Sequence, residues 1–399
     1  MADKDKIIPS FFKYLWIVVL VPKAVQFVIF AFAMLVLLIN HRKQIKFNFI
    51  FILAFLFVVI QCLAIIYNFT GQPVTRILAA TNTVLIWIIS LLFYSLCGCI
   101  TVDINRIEKY CFINLSILTV LAIIIIISLR LGIQPPQIFG RSAVLTDWLS
   151  GESTERLTAY MEYSNLIIVF YLLQFPLAFR FAISHFSRIT SAILLTLSIV
   201  GPLESHSRAG QLVVIVCVGV AIVHLVSHRK KVLIPLALIL AVVALILAVY
   251  FEGSLTAYIT DVLNKRQGST SMRQIIYSTS ISTTLDKSPI IGEGIKLEIM
   301  GYPLGSHSTY VGFFYKSGFL GTALIGCSLF LLLEAITKKS FQIKYGIVIF
   351  VSFVCLMSFY IFEDMDGADW ALILFWITAA LWTGKVKEKD TNLNRIWIA

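Results

Sequence analysis

The side chains best able to do chemistry in this chain gather in three polar stretches that interrupt an otherwise apolar sequence. Residues 131–163 carry Arg141 and Arg156, followed by Glu162 and Asn165. The connection Glu204-Ser205-His206-Ser207-Arg208-Ala209-Gly210 separates two apolar runs. The long stretch 252–306 carries Lys265, Arg266, Arg273, Asp286, Lys287, Glu293, Lys296 and Glu298, and leads into Gly305-Ser306-His307-Ser308-Thr309-Tyr310. Arginine suits phosphate, because its planar fork makes two parallel charge-assisted hydrogen bonds and its charge persists at any relevant pH. Several of these arginines brought together would bind a pyrophosphate. Histidine takes a proton near neutral pH, a role worth roughly 10² to 10⁴ in rate when the base is well placed. An arginine clamp and a histidine base together point to group transfer from a lipid pyrophosphate.

The elements that must position these groups are membrane helices. Hydrophobic residues make up 59% of the chain and charged residues only 13%, and the mean hydropathy is +0.91, well outside the range of soluble domains. A helix crossing the hydrocarbon needs about 20 mostly apolar residues. Segments of that kind fall near 47–67, 77–100, 111–129, 164–181, 189–204, 209–226, 232–251, 307–336, 345–361 and 369–384. Residues 11–39 read as two helices, the first short or tilted, because Pro22 and Lys23 interrupt them. Basic clusters at Arg42/Lys43/Lys46, Arg106/Lys109, Arg180/Arg188, Arg229/Lys230/Lys231, Lys338/Lys339/Lys344 and the tail from Lys385 occur in every second loop. By the positive-inside rule this gives an all-α polytopic bundle of about twelve spans with both termini cytoplasmic. Residues 1–399 then form a single integral membrane domain. The outer loops 131–163 and 252–306 face outside, the second with short helices and part of the site.

The net charge of +11 is mostly a topology signal, and no basic stripe with interleaved aromatics supports nucleic-acid binding. The N-terminal apolar stretch lacks a small-residue cleavage pattern and reads as retained in the membrane. All seven cysteines lie in or at the ends of apolar spans with no CxxC pair, and read as packing residues.

Within the long loop, residues 269–285 have Met272, Ile275, Ile276 and Ile281 at spacing consistent with an amphipathic helix along the membrane surface. Lys287-Ser288-Pro289 marks a break, and Gly292-Glu293-Gly294 a turn whose backbone could approach a ligand closely. Tyr302-Pro303-Leu304-Gly305 is a second break, so His307 falls at the mouth of the next helix, near its N-terminus.

Arg156 with Asn165, Ser207-Arg208-Ala209-Gly210, Arg273 upstream of Pro289 and Gly292-Glu293-Gly294, and His307-Ser308-Thr309-Tyr310 followed by Gly318-Phe319-Leu320-Gly321 resemble the O-antigen ligase and O-antigen polymerase superfamily of bacterial polytopic glycosyltransferases. The resemblance covers mainly residues 156–321. It implies metal-independent transfer of a glycan from an undecaprenyl-pyrophosphate carrier to an acceptor hydroxyl, on the outer face of the cytoplasmic membrane, with no cofactor. By the match, Arg208 and Arg273 hold the pyrophosphate, Arg156 supports it or the glycan, and His307 accepts the proton of the attacking hydroxyl. The attack inverts the anomeric centre without a covalent enzyme intermediate. The acceptor is a second lipid-linked repeat unit in polymerases and lipid A core in ligases. Tyr310, third after His307, looks more like polymerases of O-antigen or capsule, whose partners include a possible chain-length regulator.

Competing assignments stand beside these. Lys265 and Arg266 compete with Arg273 for the phosphates, and Arg141 competes with Arg156. His206, two residues from Arg208, would point to another helix face and reads as structural. Lys316, in mid-span, would line the cavity beside the site or mark a transporter. The run Glu363-Asp364-Met365-Asp366-Gly367-Ala368-Asp369 resembles a carboxylate metal site but lacks the remaining ligands of an EF-hand, and it falls in a loop expected on the outer side, where acidic residues are unremarkable, so it reads as without metal. No HExxH, P-loop, GxSxG or dinucleotide fingerprint occurs in a supporting context. A lipid-linked oligosaccharide flippase would share the span count, yet it would place ionisable groups near the midplane on broken helices, where this chain has almost none.

Overall fold

The structure, a computed structural model, describes residues 6–42, 45–100, 102–147, 154–227, 267–343 and 345–383. In chain order the helices and strands are α1 (Ile7–Lys13), α2 (Leu15–Leu20), α3 (Lys23–His41), α4 (Phe49–Asn68), α5 (Val74–Cys97) and α6 (Ile104–Arg130), then β1 (Val144–Asp147) and β2 (Thr154–Leu157). Next come α7 (Leu166–His185), α8 (Arg188–Leu197), α9 (Val200–Glu204), α10 (Arg208–Ser227) and α11 (Gln267–Lys287). The chain continues through β3 (Glu298–Ile299), β4 (Tyr302–Pro303), α12 (Thr309–Ser340), α13 (Gly346–Phe359) and α14 (Asp369–Thr383).

Among the described residues, seven helices are long and apolar enough to cross a membrane: α3, α4, α5, α6, α7, α10 and α12. α13 and α14 are apolar but shorter. The expected span at 232–251, the start of the long loop with Lys265 and Arg266, and the tail from Lys385 lie outside the described residues.

The break at Pro22 is present: α2 ends at Leu20 and α3 restarts at Lys23 with Pro22 as its N-cap, the place where proline's missing N–H costs nothing. The expected span at 189–204 is instead divided into α8 and α9. Pro202 cannot donate to the Ser198 carbonyl, and Ser198 Oγ turns back to Leu195 O at 2.7 Å. The all-α expectation also needs correction, because both polar segments hold a small antiparallel hairpin. β1 pairs with β2, with Leu145 opposite Arg156, and β3 pairs with β4, with Ile299 opposite Tyr302.

α7 and α14 form the middle of the bundle, buried on nearly every side, while the other long helices leave broad apolar faces outward. Lipid is as apolar as leucine, so close packing and interhelical hydrogen bonds hold such a bundle together. Phe57, Trp87, Phe313 and Trp376 stack edge to face with ring centroids 5.1–6.0 Å apart. Asn114 Nδ2 donates to Gln174 Oε1 at 2.7 Å, and Ser328 Oγ to Ile50 O at 2.9 Å.

One irregularity places the site. α12 is broken at Gly318, whose φ of 60° and ψ of −162° open the hydrogen-bond ladder. Residues 289–294 fill the opening. Phe319 N donates to Pro289 O at 2.8 Å, Leu320 N to Ile290 O at 3.1 Å, and Glu293 N to Tyr315 O at 2.8 Å. Backbone groups freed inside an apolar bundle must find such partners. Gly292 and Gly294 are therefore packing residues, not an open ligand cradle. A Cβ at Gly292 would stand 2.4 Å from Ser317 N, and one at Gly294 2.5 Å from Ile65 N.

Candidate active site

The site forms where α11, the β3–β4 hairpin and the start of α12 meet. α11 is helical as expected, and its buried face carries Ile276 together with a run of polar side chains. Arg273, Tyr277, Ser280 and Thr284 follow i, i+4, i+7 and i+11 spacing, which puts them on one stripe. Ser280 and Thr284 are fully buried, whereas Ile275 and Ile281 are exposed. The stripe grips the segment before α12: Tyr277 Oη donates to His307 O at 2.5 Å, and Ser280 Oγ accepts from Gly305 N at 2.8 Å.

His307 lies two residues before α12, as the sequence places it, and Ser308 caps the helix. Its φ of 62° lies in the left-handed region, which a non-glycine residue occupies only when its surroundings hold it there. The Tyr302 ring stands 6.1 Å from the imidazole. Burial first, then the positive charges of Arg273 and Lys296, lower the His307 pKa to about 4. At neutral pH the imidazole is therefore uncharged and free to accept a proton.

Beside it lies a buried charge cluster in the connection between α13 and α14. Lys296 Nζ pairs with Asp364 Oδ2 at 2.5 Å. Lys316 pairs with Asp366, both side chains being only 4% exposed, and Trp87 Nε1 donates to the same Asp366 oxygen at 3.3 Å. Burial and neighbouring Asp366 push Asp364 up to about 7 against the pull of Lys296 and Lys316. Burial opposes ionisation of Asp366 as well, but Lys316 and Lys296 hold it well below the carboxylate range. Burial would lower Lys296, yet Asp364 and Asp366 outweigh it and raise the ammonium above its ordinary value.

Glu363 joins this cluster to the start of α12. Thr309 N and Oγ1 both donate to the Glu363 carbonyl, at 2.9 and 2.8 Å. Asn165 Nδ2 donates to Glu363 Oε2 at 2.5 Å. Arg156 in turn donates to Asn165 Oδ1 at 2.9 Å and to Ser205 O at 3.0 Å. Burial raises the Glu363 pKa, with Asn165, the Asp364 backbone and Arg273 working in the other direction. A continuous set of polar contacts thus runs from Ser205, three residues before Arg208 at the head of α10, to the helix that begins beside His307.

The residues singled out from the sequence fall in different surroundings. Arg273 stands close enough to His307, Tyr277 and Glu363 to act on each electrostatically, and its Nε is buried with no hydrogen-bond acceptor among the described residues. A buried, unmatched donor of this kind asks for an explanation such as a missing ligand. Arg208 opens α10. Arg141, Lys316, Tyr310 and His206 each meet a protein partner. Arg141 donates to Val19 O, Val21 O and Tyr160 O and pairs with Glu162 at 2.9 Å, fastening the 131–163 segment to the α2–α3 junction. Lys316 is held by Asp366, and Tyr310 Oη donates to Met357 O at 2.9 Å. His206 Nε2 stands 3.9 Å from Glu204. Arg266 lies outside the described residues.

Reasoning from the sequence missed Tyr277, Lys296, Glu363, Asp364 and Asp366. Glu363, Asp364 and Asp369 of the acidic run are buried. Lys316 was the available signal: a lysine in mid-span demands a carboxylate partner. Among the described residues, no three His, Cys, Asp or Glu side chains are placed to hold a metal ion.

The sequence profile of the O-antigen ligase family matches residues 193–326. That stretch contains Arg208, Arg273 and His307 and leaves out Arg141 and Arg156. The match supports the O-antigen ligase and polymerase superfamily resembled by the motifs, and with the apolar helices it points to an integral membrane enzyme. A comparison with curated proteins yields no match. Among solved structures, a chain from work described as "Structural coordination of polymerization and crosslinking by a peptidoglycan synthase complex" is 15% identical, with a TM-score of 0.44. The similarity covers 83% of this chain and 95% of that one.

Proposed function

We propose that this protein transfers a glycan from an undecaprenyl-pyrophosphate carrier to an acceptor hydroxyl on the outer face of the bacterial cytoplasmic membrane. In this reading it polymerises lipid-linked repeat units into O-antigen or capsular polysaccharide. One observation carries the assignment: Arg273, whose buried Nε has no acceptor among the described residues, stands beside a histidine held neutral. Arg273, with Arg208 from α10, receives the pyrophosphate, and His307 takes the proton of the incoming hydroxyl. The hydroxyl oxygen bonds to the anomeric carbon as the bond to the pyrophosphate oxygen breaks on the opposite face, so the configuration inverts. The leaving group departs with its electron pair into the arginine pocket, and fixed cations aimed at a developing negative charge stabilise that transition state.

Before donor binds, His307 is a weak base, since burial and then two cations keep its pKa near 4. Pyrophosphate bound at Arg273 would offset those cations and raise it, because a nearby opposite charge favours the protonated form. The donor would thus strengthen the base that uses it.

Ligation to lipid A core is the second reading, favoured by the description of the matched family as O-antigen ligase. The discriminating experiment supplies purified protein in nanodiscs with undecaprenyl-pyrophosphate repeat units and EDTA, with and without lipid A core. A ladder of longer lipid-linked glycans without core supports the polymerase. Transfer only when core is added makes it a ligase. Inactivity with both acceptors, together with carrier flipping in liposomes, overturns the enzyme reading.

A further inference from the structure

We infer that Tyr277 is a positioning residue for this transfer: through its bond to the His307 carbonyl, the helix that carries Arg273 also fixes where the His307 imidazole stands. The inference rests on the glycosyl-transfer reading above.

The geometry makes one helix responsible for both halves of the site. Arg273 and Tyr277 are separated by four residues, about one turn, and so share a face of α11. Tyr277 Oη holds His307 O at 2.5 Å, and one turn further Ser280 Oγ holds Gly305 N at 2.8 Å. Between these grips the chain passes through two left-handed residues, Gly305 at φ 68° and His307 at φ 62°. Glycine adopts that conformation freely; histidine does so at a cost and relaxes when released. On the far side Thr309 is fixed to the Glu363 carbonyl. His307 is therefore the strained residue between two anchored neighbours, and the Tyr277 hydroxyl is the contact on its own backbone. Loss of that one oxygen leaves the ring packing intact and lets the peptide rotate, carrying the imidazole away from Arg273.

The charged and titratable groups around this spot come from every neighbouring element. Arg273 and Tyr277 lie on α11, Lys296 lies on the segment before β3, Tyr302 on β4, and Glu363 and Asp364 precede α14. Burial, and then Arg273 and Lys296, depress the His307 pKa, so an imidazole that has swung out of this packing and away from both cations titrates at higher pH.

The test is Tyr277→Phe in the full chain in nanodiscs, read in two ways. Steady-state transfer gives kcat and the KM for the lipid-linked donor. Site-resolved acylation of His307 by diethyl pyrocarbonate, followed against pH by mass spectrometry, gives its titration without turnover. We expect kcat to fall about 10- to 100-fold with KM little changed, as for a misplaced reacting group. The His307 titration should move up from about 4 toward the ordinary 6.5. Unchanged kcat and an unchanged titration in Tyr277→Phe, with an active wild type, overturn the inference and leave the transfer reading standing. A wild type that transfers nothing overturns the transfer reading, while the titration still reports on the grip. Should Tyr277→Phe fail to fold, Ser280→Ala loosens the other anchor, and the same upward move of the titration is expected.

Discussion

Arg141 and Arg273 are both arginines of polar segments at the same end of the bundle, and the protein uses them in opposite ways. Arg141 is closed: three backbone carbonyls and the Glu162 carboxylate take up its guanidinium. Arg273 differs: among the described residues its buried Nε has no acceptor, and its charge acts on His307. Lys316 is likewise matched to Asp366, whereas the charges that act on His307 are those of Arg273 and Lys296. Position along the sequence does not distinguish the two arginines.

The sharpest way to break this comparison is to remove one member of each class. Arg273→Ala and His307→Ala should each lower transfer by roughly 10² to 10⁴ per folded molecule, the range of a well-placed base or charge stabiliser. Arg141→Gln should lower the yield of folded protein and leave the rate per folded molecule near wild type. Initial rates normalised to the monodisperse protein peak check both.

The closed class makes a stability prediction of comparable size. Lys316→Met leaves Asp366 buried without its partner, and such a break costs about 3 to 5 kcal/mol. Thermal unfolding in detergent should show the loss, and Lys316→Met with Asp366→Asn should recover most of it. A single variant as stable as wild type would show that the pair is not closed.

A smaller loss is expected at the insertion into α12. Gly292→Ala places a Cβ 2.4 Å from Ser317 N at a φ of 77°, and strain of this kind costs on the order of 1 to 3 kcal/mol. The same unfolding assay should rank it below Lys316→Met, with the donor KM unaffected because this turn packs on helices.

The subtlest effect is on pH. The His307 pKa lies below its unfolded value, so its neutral form contributes stability that is complete above about 6.5 and is lost as pH falls through about 4. In kinetics the acid limb of kcat/KM, which reports the free enzyme, should fall near pH 4, and that of kcat should fall at higher pH, because bound pyrophosphate offsets Arg273. Coincident limbs would mean that donor and base do not communicate.

Much of the frame was legible in the sequence, because lipid imposes a simple rule. Apolar runs of sufficient length became α4, α5, α6, α7 and α12, Pro22 divided the first segment, and His307 fell at a helix mouth. The misses have a common cause in long-range pairing. Nothing local to Arg156 says that it meets Asn165 and Ser205, and nothing local to Glu363-Asp364-Met365-Asp366 says that two lysines and an asparagine bury it. The hairpins β1–β2 and β3–β4 are too short to show alternation. Of the isoleucines that suggested an apolar face on α11, Ile276 is buried and Ile275 and Ile281 are exposed, and nothing local shows that the polar side chains beside Ile276 bond Gly305 and His307.

The most direct test of the central claim is transfer from an undecaprenyl-pyrophosphate repeat unit by purified protein in EDTA, comparing wild type, Arg273→Ala, His307→Ala and Arg141→Gln at equal folded concentration. The account predicts glycan extension by wild type and Arg141→Gln and its loss in the other two. Extension that survives in Arg273→Ala and His307→Ala would contradict it.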